Sequence, residues 1–272
     1  MIGAMTDLSP FAGFTYDHDG ERLSGVHGGA PQAPATAVVL HGAGNGDKER
    51  LLPLLGEFVA RGCRGLAFDF SGHGESTGEL RELSLRRRFE QAVAVIDGRV
   101  AAGGALILVG FSMSGQTVAD LAAHYGDRVT ALGLCAPAVY AAEAWDVPFG
   151  TGDGRFSTLI RRPDSWRESP ALDALRAYEG RAVLAVPGTD AVIPSAVTDA
   201  VQDALATRAR YTRFELPDAD HSVGLWFREH GDDRRAFVTQ VLNGRVAERG
   251  GVFAGGGPLS VVVGRMGGRT SS

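Results

Sequence analysis

Lysine is nearly absent from this chain: among 272 residues it occurs once, at Lys48, and arginine supplies the rest of the positive charge. Such a bias reflects a GC-rich coding sequence rather than a chemistry. The formal net charge is −5, and no arginine-dense stripe with interleaved aromatics appears, so no nucleic-acid partner is expected. The cluster Arg86, Arg87, Arg88 reads as the solvated face of a helix. Cysteine is scarce too. Cys63 and Cys135 sit in separate apolar segments without metal-ligand spacing; both read as buried small hydrophobes, with no disulfide, no metal and a reducing cytoplasm expected. Long hydrophobic runs are missing, which excludes a spanning helix and argues against a membrane partner. The opening "MIGAMTDLSPFAGF" has no basic start followed by an apolar stretch, so no signal peptide is expected. Internal repeats and phosphate-cradling glycine loops are absent as well.

What is present is an α/β rhythm. With 44% apolar residues the chain can bury a large core. Short apolar runs alternate with amphipathic segments, which predicts βαβ repetition around a mostly parallel sheet. An opening hairpin, "FTYDHDGERLSGVHGG", precedes the buried strand of "TAVVLHGAG". The helix "KERLLPLLGEFVARG" follows, with Pro53 in its first turn, then the strand and loop "CRGLAFDFSGHGES". "SLRRRFEQAVAVIDGRVAA" has helical spacing, "GALILVGFS" and "VTALGLCAPA" are strands, and the irregular stretch 141–180 reads as a cap insertion. Strands resume at "RAVLAVPGTD" and "RYTRFELPDADH" around the helix "SAVTDAVQDALATRA", and "GLWFREHGDDRRAFVTQVLNGRV" reads as one last helix. Residues 1–247 are expected to form one domain and 248–272 a glycine-rich tail, in which "LSVVVG" has the composition of a further strand.

The stretch "ALILVGFSMSGQTVADLAAHYG" raises the functional question. A strand ends at Gly110, a turn of small residues follows, and a helix begins. A turn this sharp strains its central residue and tolerates only small side chains two positions away, here Gly110 and Ser114 with Gly115 behind. Ser112 then projects above the sheet edge, as a nucleophile does at such an elbow. A serine hydroxyl needs a base, usually a histidine oriented by a carboxylate. Of seven histidines, His18 and His27 lie in the hairpin, His124 on the helix after the turn and His230 within the last helix. His41 precedes a glycine loop and reads as its brace. His221, in "LPDADHSVG", follows the final strand, where sites in open parallel sheets collect. Asp190 in "AVLAVPGTDAVIP" is the candidate acid and Glu143 its reserve, whereas Asp218 and Asp220 read as loop carboxylates. Backbone amides of Met113, after the serine, and Ala43, in "LHGAGNGDKE", are the candidate oxyanion donors.

Taken together, "HGAG" (41–44), "DFSGHGES" (69–76), "GFSMSG" (110–115), "GTDAVIP" (188–194) and "DADHS" (218–222) resemble the α/β-hydrolase superfamily in order and spacing. The likeness runs from about residue 12 to 245, nearest to monoacylglycerol-lipase-like and serine-aminopeptidase-like members and small feruloyl-type esterases. It implies Ser112 as nucleophile, Asp190 as acid, His221 as base, and Ala43 with Met113 as oxyanion donors. It also implies a structural loop at Asp69 and His73. Two departures from the family pattern are Ser114 in place of a glycine, and one residue fewer between glycine and acid at Asp190.

The expected reaction is acyl transfer from a small-molecule ester or thioester, carrier-bound thioesters included, with no cofactor and no metal. Serine at the elbow argues against the superfamily's dehalogenases and epoxide hydrolases. Trp145, Phe149, Phe156 and Trp166 either line an apolar acyl pocket or seal the cap onto the body. Arg155, Arg161, Arg162 and Arg167 either meet an acidic substrate or are solvated surface. Three classes stay open: a hydrolase, a transferase or cyclase using the same acyl-enzyme, and a non-catalytic binding member. A peptidase ranks lower, because no acidic pair dedicated to a peptide amino terminus is apparent.

Overall fold

Strands β3 (Ala35–Leu40), β4 (Arg64–Phe68), β5 (Ala105–Phe111), β6 (Val129–Cys135) and β7 (Arg181–Pro187) are near-continuous apolar runs. Such runs form where a sheet is covered on both faces. A computed structural model describes residues 10–150 and 152–242. With β1 (Phe11–His18), β2 (Glu21–Gly28) and β8 (Arg210–Leu216) these strands build one eight-stranded sheet in the order β1-β2-β4-β3-β5-β6-β7-β8. β1–β2 and β2–β4 pair antiparallel, and β4 through β8 are parallel. The expected glycine-rich tail and its "LSVVVG" segment lie outside the described residues.

Alternation along β5 assigns the two faces. Leu106 and Leu108 pack with α2 (Leu85–Arg99), α3 (Ser114–Tyr125), α5 (Pro170–Ala177) and α6 (Ser195–Ala206). Ile107 and Val109 pack with α1 (Leu52–Ala60), α7 (Val223–Glu229) and α8 (Gly231–Leu242). The predicted last helix is therefore two. It breaks at His230, whose ring stacks on Trp226 at 3.5 Å and whose Nδ1 lies 3.0 Å from the Trp226 carbonyl. Gly231 then opens α8. Between β6 and β7 runs the irregular segment, which holds α4 (Arg155–Arg161), α5 and short 3-10 turns. Both cysteines are free and buried. No helix among the described residues is long and apolar enough to cross a membrane.

The sole lysine is not a surface residue. Lys48 is 2% exposed, and its ammonium donates to Asp69 and Glu75, each at 2.8 Å. Asp69, fully buried, also accepts the Lys48 amide at 2.7 Å and the Glu75 amide at 3.1 Å. The "DFSGHGES" loop and the loop after β3 are thus locked together by one buried carboxylate.

Candidate active site

The carboxyl ends of β3, β5, β7 and β8 converge, because parallel strands bring their following loops to one edge. Ser112 follows β5 with φ +50°, a left-handed conformation that costs a non-glycine residue about 1 kcal/mol or more. Its own backbone holds it there. The Ser112 amide donates to Cys135 at 3.0 Å, and its carbonyl accepts from Gly115 at 2.8 Å and Ala138 at 2.9 Å. Space is equally restrictive: a Cβ on Gly110 would lie 2.5 Å from the Ser114 carbonyl oxygen, and one on Gly115 2.5 Å from Pro137 Cβ.

From this turn a hydrogen-bonded chain runs to β8 and β7. Ser112 Oγ is 2.9 Å from His221 Nε2, and His221 Nδ1 is 3.0 Å from Asp190 Oδ2. A carboxylate only accepts, so the proton belongs on Nδ1 and Nε2 is left to accept the serine hydroxyl. The other Asp190 oxygen accepts from the amides of Val192 at 2.8 Å and Ile193 at 2.9 Å, which fixes the carboxylate's orientation. The Asp190 and His221 loops are tied directly: Gly188 N donates to Leu216 O at 2.8 Å and Thr189 N to Ala219 O at 3.0 Å. The shortened spacing before Asp190 therefore still delivers the acid to the histidine. Glu143 lies elsewhere, paired with Arg162 at 3.3 Å on the surface. Asp218 is exposed, and Asp220 accepts from the Ser222 amide within its own loop.

Ala43 and Met113, the expected oxyanion donors, meet in one apolar cluster with Leu85, Tyr140, Trp145 and Phe156. Met113 stands at the start of α3, where first-turn amides have no intrahelical acceptor. His41 braces the loop as expected. Its Nδ1 donates to Gly42 O at 2.6 Å and its Nε2 accepts from the Phe70 amide at 3.1 Å. Burial first, then the neighbouring Arg88 charge, hold its pKa well below the ordinary histidine range. Both nitrogens are occupied, and His41 is a neutral strut. His73 is likewise pressed down, chiefly by burial.

A cavity of about 160 Å³ opens over Ser112 and His221, walled by Ala43, Asn45, Leu51, Phe111, Val223 and Leu225. Asp47 and Arg50, an ion pair at 3.6 Å, also face it. None of the four aromatics proposed for the pocket lines this cavity, but Trp145, Phe149 and Phe156 belong to the apolar cluster that holds Ala43 and Met113. Within the insertion, Phe149 and Phe156 pack on each other, 4.5 Å between centroids. Trp166 lies against the main core, and Trp145 borders a separate cavity of about 340 Å³ with Tyr140 and Asp120. Arg155 and Arg161 are exposed, and Arg162 and Arg167 pair with surface acids. No group of His, Cys, Asp and Glu among the described residues is arranged to hold a metal ion.

The arginine triplet is not one solvated face. Arg86 reaches the surface acid Asp146 and Arg87 pairs with the mostly buried Glu21 and the exposed Asp19, but Arg88 is fully buried. The signal was in the sequence: Arg88 keeps register with Leu85, Gln91, Ala92, Val95 and Ile96, the buried stripe of α2. Ser114 finds a use here as well, since its hydroxyl donates to the His41 carbonyl at 2.6 Å. A glycine in that place has no such donor.

Comparison with known proteins places the fold. The model of the alpha/beta hydrolase family matches residues 37–240. The chain belongs to that family. No curated protein sequence matches this member of the alpha/beta hydrolase family. Solved structures share its fold at low identity. A thioesterase domain from the curacin biosynthetic pathway is 14% identical with a TM-score of 0.65, covering 84% of this chain and 99% of that one. Est1E of Butyrivibrio proteoclasticus, solved with ferulic acid bound, is 17% identical with a TM-score of 0.64, over 84% and 99% of the two chains. An esterase of Pyrococcus furiosus is 16% identical with a TM-score of 0.64, over 87% and 92%.

Proposed function

We propose that this alpha/beta hydrolase cleaves a carboxylic ester or thioester of a small molecule through an acyl-enzyme on Ser112. The observation that carries the reading is the hydrogen-bonded chain from Ser112 through His221 to Asp190, assembled from three strand ends. In the first half-reaction Ser112 Oγ attacks the carbonyl carbon while His221 Nε2 takes its proton. Asp190 holds the imidazole in the tautomer that can do this and stabilises the imidazolium. The amides of Ala43 and Met113 receive the oxyanion. Collapse expels the alkoxide or thiolate, which leaves with the proton from His221. Water then attacks the acyl-serine, its proton passing to His221, and Ser112 is regenerated as the acid departs. Nothing in this sequence of steps calls on a metal or cofactor.

The small cavity favours a compact group next to the scissile bond. Thioesterase and esterase structures among those sharing the fold support an acyl-transfer reading. The test is hydrolysis of p-nitrophenyl esters from acetyl to dodecanoyl, with Ser112→Ala as blank. The expected result is release that depends on Ser112 and declines with acyl length. Release equal in the two proteins across the series removes the proposal.

A further inference from the structure

We infer that Arg88 is a positioning residue that sets the geometry and field of the oxyanion hole in the reaction proposed above; the inference rests on that reading. Its guanidinium is fully buried and meets no carboxylate among the described residues. Nη2 instead donates to two oxygens, the His41 carbonyl and Ser114 Oγ, each at 2.8 Å. Ser114 Oγ donates in turn to the same His41 carbonyl at 2.6 Å, so the three groups close a ring. The guanidinium plane also lies over the Phe70 ring, 3.8 Å from its centroid, and the Phe70 amide donates to His41.

The placement is what matters. His41 stands two residues before Ala43, and Ser114 one residue after Met113. The bracket therefore spans the two amides that receive the oxyanion and fixes the distance between the loop after β3 and the start of α3. Its charge is also uncompensated in a site of low polarity, where an unpaired cation stabilises developing negative charge far more than it would in water. A residue kept for packing alone would be apolar, as Leu85, Ala92, Val95 and Ile96 of the stripe are; the stripe's other polar member, Gln91, is hydrogen-bonded to the Ser71 amide and to Glu21. Burying an unpaired cation is unfavourable, and replacing it with a hydrocarbon of similar size is the cheaper way to fill a core. Retaining guanidinium here makes sense if the field and the bracket serve the chemistry.

The experiment compares wild type, Arg88→Met, Arg88→Lys and Ser114→Ala by three readouts. These are steady-state kinetics on the best p-nitrophenyl ester, inhibition by phenylboronic acid, whose serine adduct is tetrahedral and anionic, and the rate at which a fluorophosphonate labels Ser112. For Arg88→Met, kcat is expected to fall roughly 10- to 100-fold with KM within about threefold, somewhat less than deletion of an oxyanion donor itself. Boronate affinity should fall in parallel with kcat, and Arg88→Lys should recover part of both. A purely structural role would lower the melting temperature without this parallel. Arg88→Met that is folded, with kcat and boronate affinity within threefold of wild type, overturns the inference. If Arg88→Met does not fold, Ser114→Ala decides, because it opens the bracket and leaves the charge in place; wild-type kcat and labelling there overturn it too. Wild type that neither hydrolyses esters nor reacts with fluorophosphonate overturns the hydrolase reading instead, and this inference falls with it.

Discussion

Lys48→Met isolates the buried ion pair that joins the loop after β3 to the "DFSGHGES" loop. Methionine keeps most of the stem and removes only the ammonium, so packing is nearly conserved. What is left behind is Asp69, fully buried and facing the missing cation. Burial by itself works to lower the Lys48 pKa, but the Asp69 and Glu75 carboxylates outweigh it and hold the pKa above the ordinary lysine value. The charge pair is therefore formed at neutral pH. Removing one member of such a pair costs about 3–5 kcal/mol. The Lys48 and Glu75 amides still donate to Asp69, which places the expected loss toward the lower end of that range. Glu75 contributes little, being 75% exposed. For a domain of this size a loss of 3–5 kcal/mol corresponds to roughly 6–20 °C in melting temperature. Urea denaturation followed by tryptophan fluorescence measures it, with the m-value checked for constancy. Adding Asp69→Asn to Lys48→Met should recover part of the loss, because it removes the stranded charge. A loss below about 1 kcal/mol is the size of a surface pair, and it would refute the claim that burial makes this lysine matter.

Two further outcomes follow from the geometry. Asp190→Asn keeps the acceptor used by the Val192 and Ile193 amides but turns an NH2 toward His221 Nδ1. The proton is then forced onto Nε2, which can no longer accept from Ser112; kcat on p-nitrophenyl acetate should drop by up to about 10⁴, and a change under tenfold would show that the acid comes from elsewhere. Asp120, beside the second cavity, is pushed up to about 7 by burial, only partly offset by the Gln116 amide. Its folded form thus holds a proton that the unfolded chain has released, and this group penalises folding increasingly as pH rises from about 4 to 7. Asp120→Asn should raise the melting temperature at pH 8 relative to wild type, with the gain shrinking toward pH 5; an equal gain at both pH values would exclude protonation as the cause.

Strand positions were legible because a sheet covered on both faces demands continuous apolar runs, and β3, β5 and β7 are little else. Ser112 was legible for a steric reason, since only a strained turn needs small residues on both sides of its centre. The convergence of His221 and Asp190 on it could be anticipated from parallel topology, which sends the ends of β7 and β8 to the same edge. The burial of Arg88 and Lys48 was not, because charged side chains ordinarily stay in solvent and their burial depends on what packs opposite. Arg88 sits on the apolar stripe of α2, a pattern outweighed by its charge and its two arginine neighbours. The aromatics of the insertion illustrate a different gap. Composition marks them as apolar contact area but does not tell a cavity wall from a seam, nor that Phe149 and Phe156 pack on each other. The break at His230 depends on a ring stacking back on Trp226, a contact without a periodic signature.

The burial of Lys48 also governs how this protein meets reagents. Its ε-amine is the sequence's only one, and at 2% exposure, charged and engaged by two carboxylates, it offers no free lone pair to an acylating agent. Amine-directed dyes, cross-linkers and acetyl donors have no lysine to reach on the folded surface. Any label mapped to Lys48 must then have entered while the loop after β3 was open, so its accumulation clocks local opening. One residue gives the chain a built-in timer for the loop that carries Ala43.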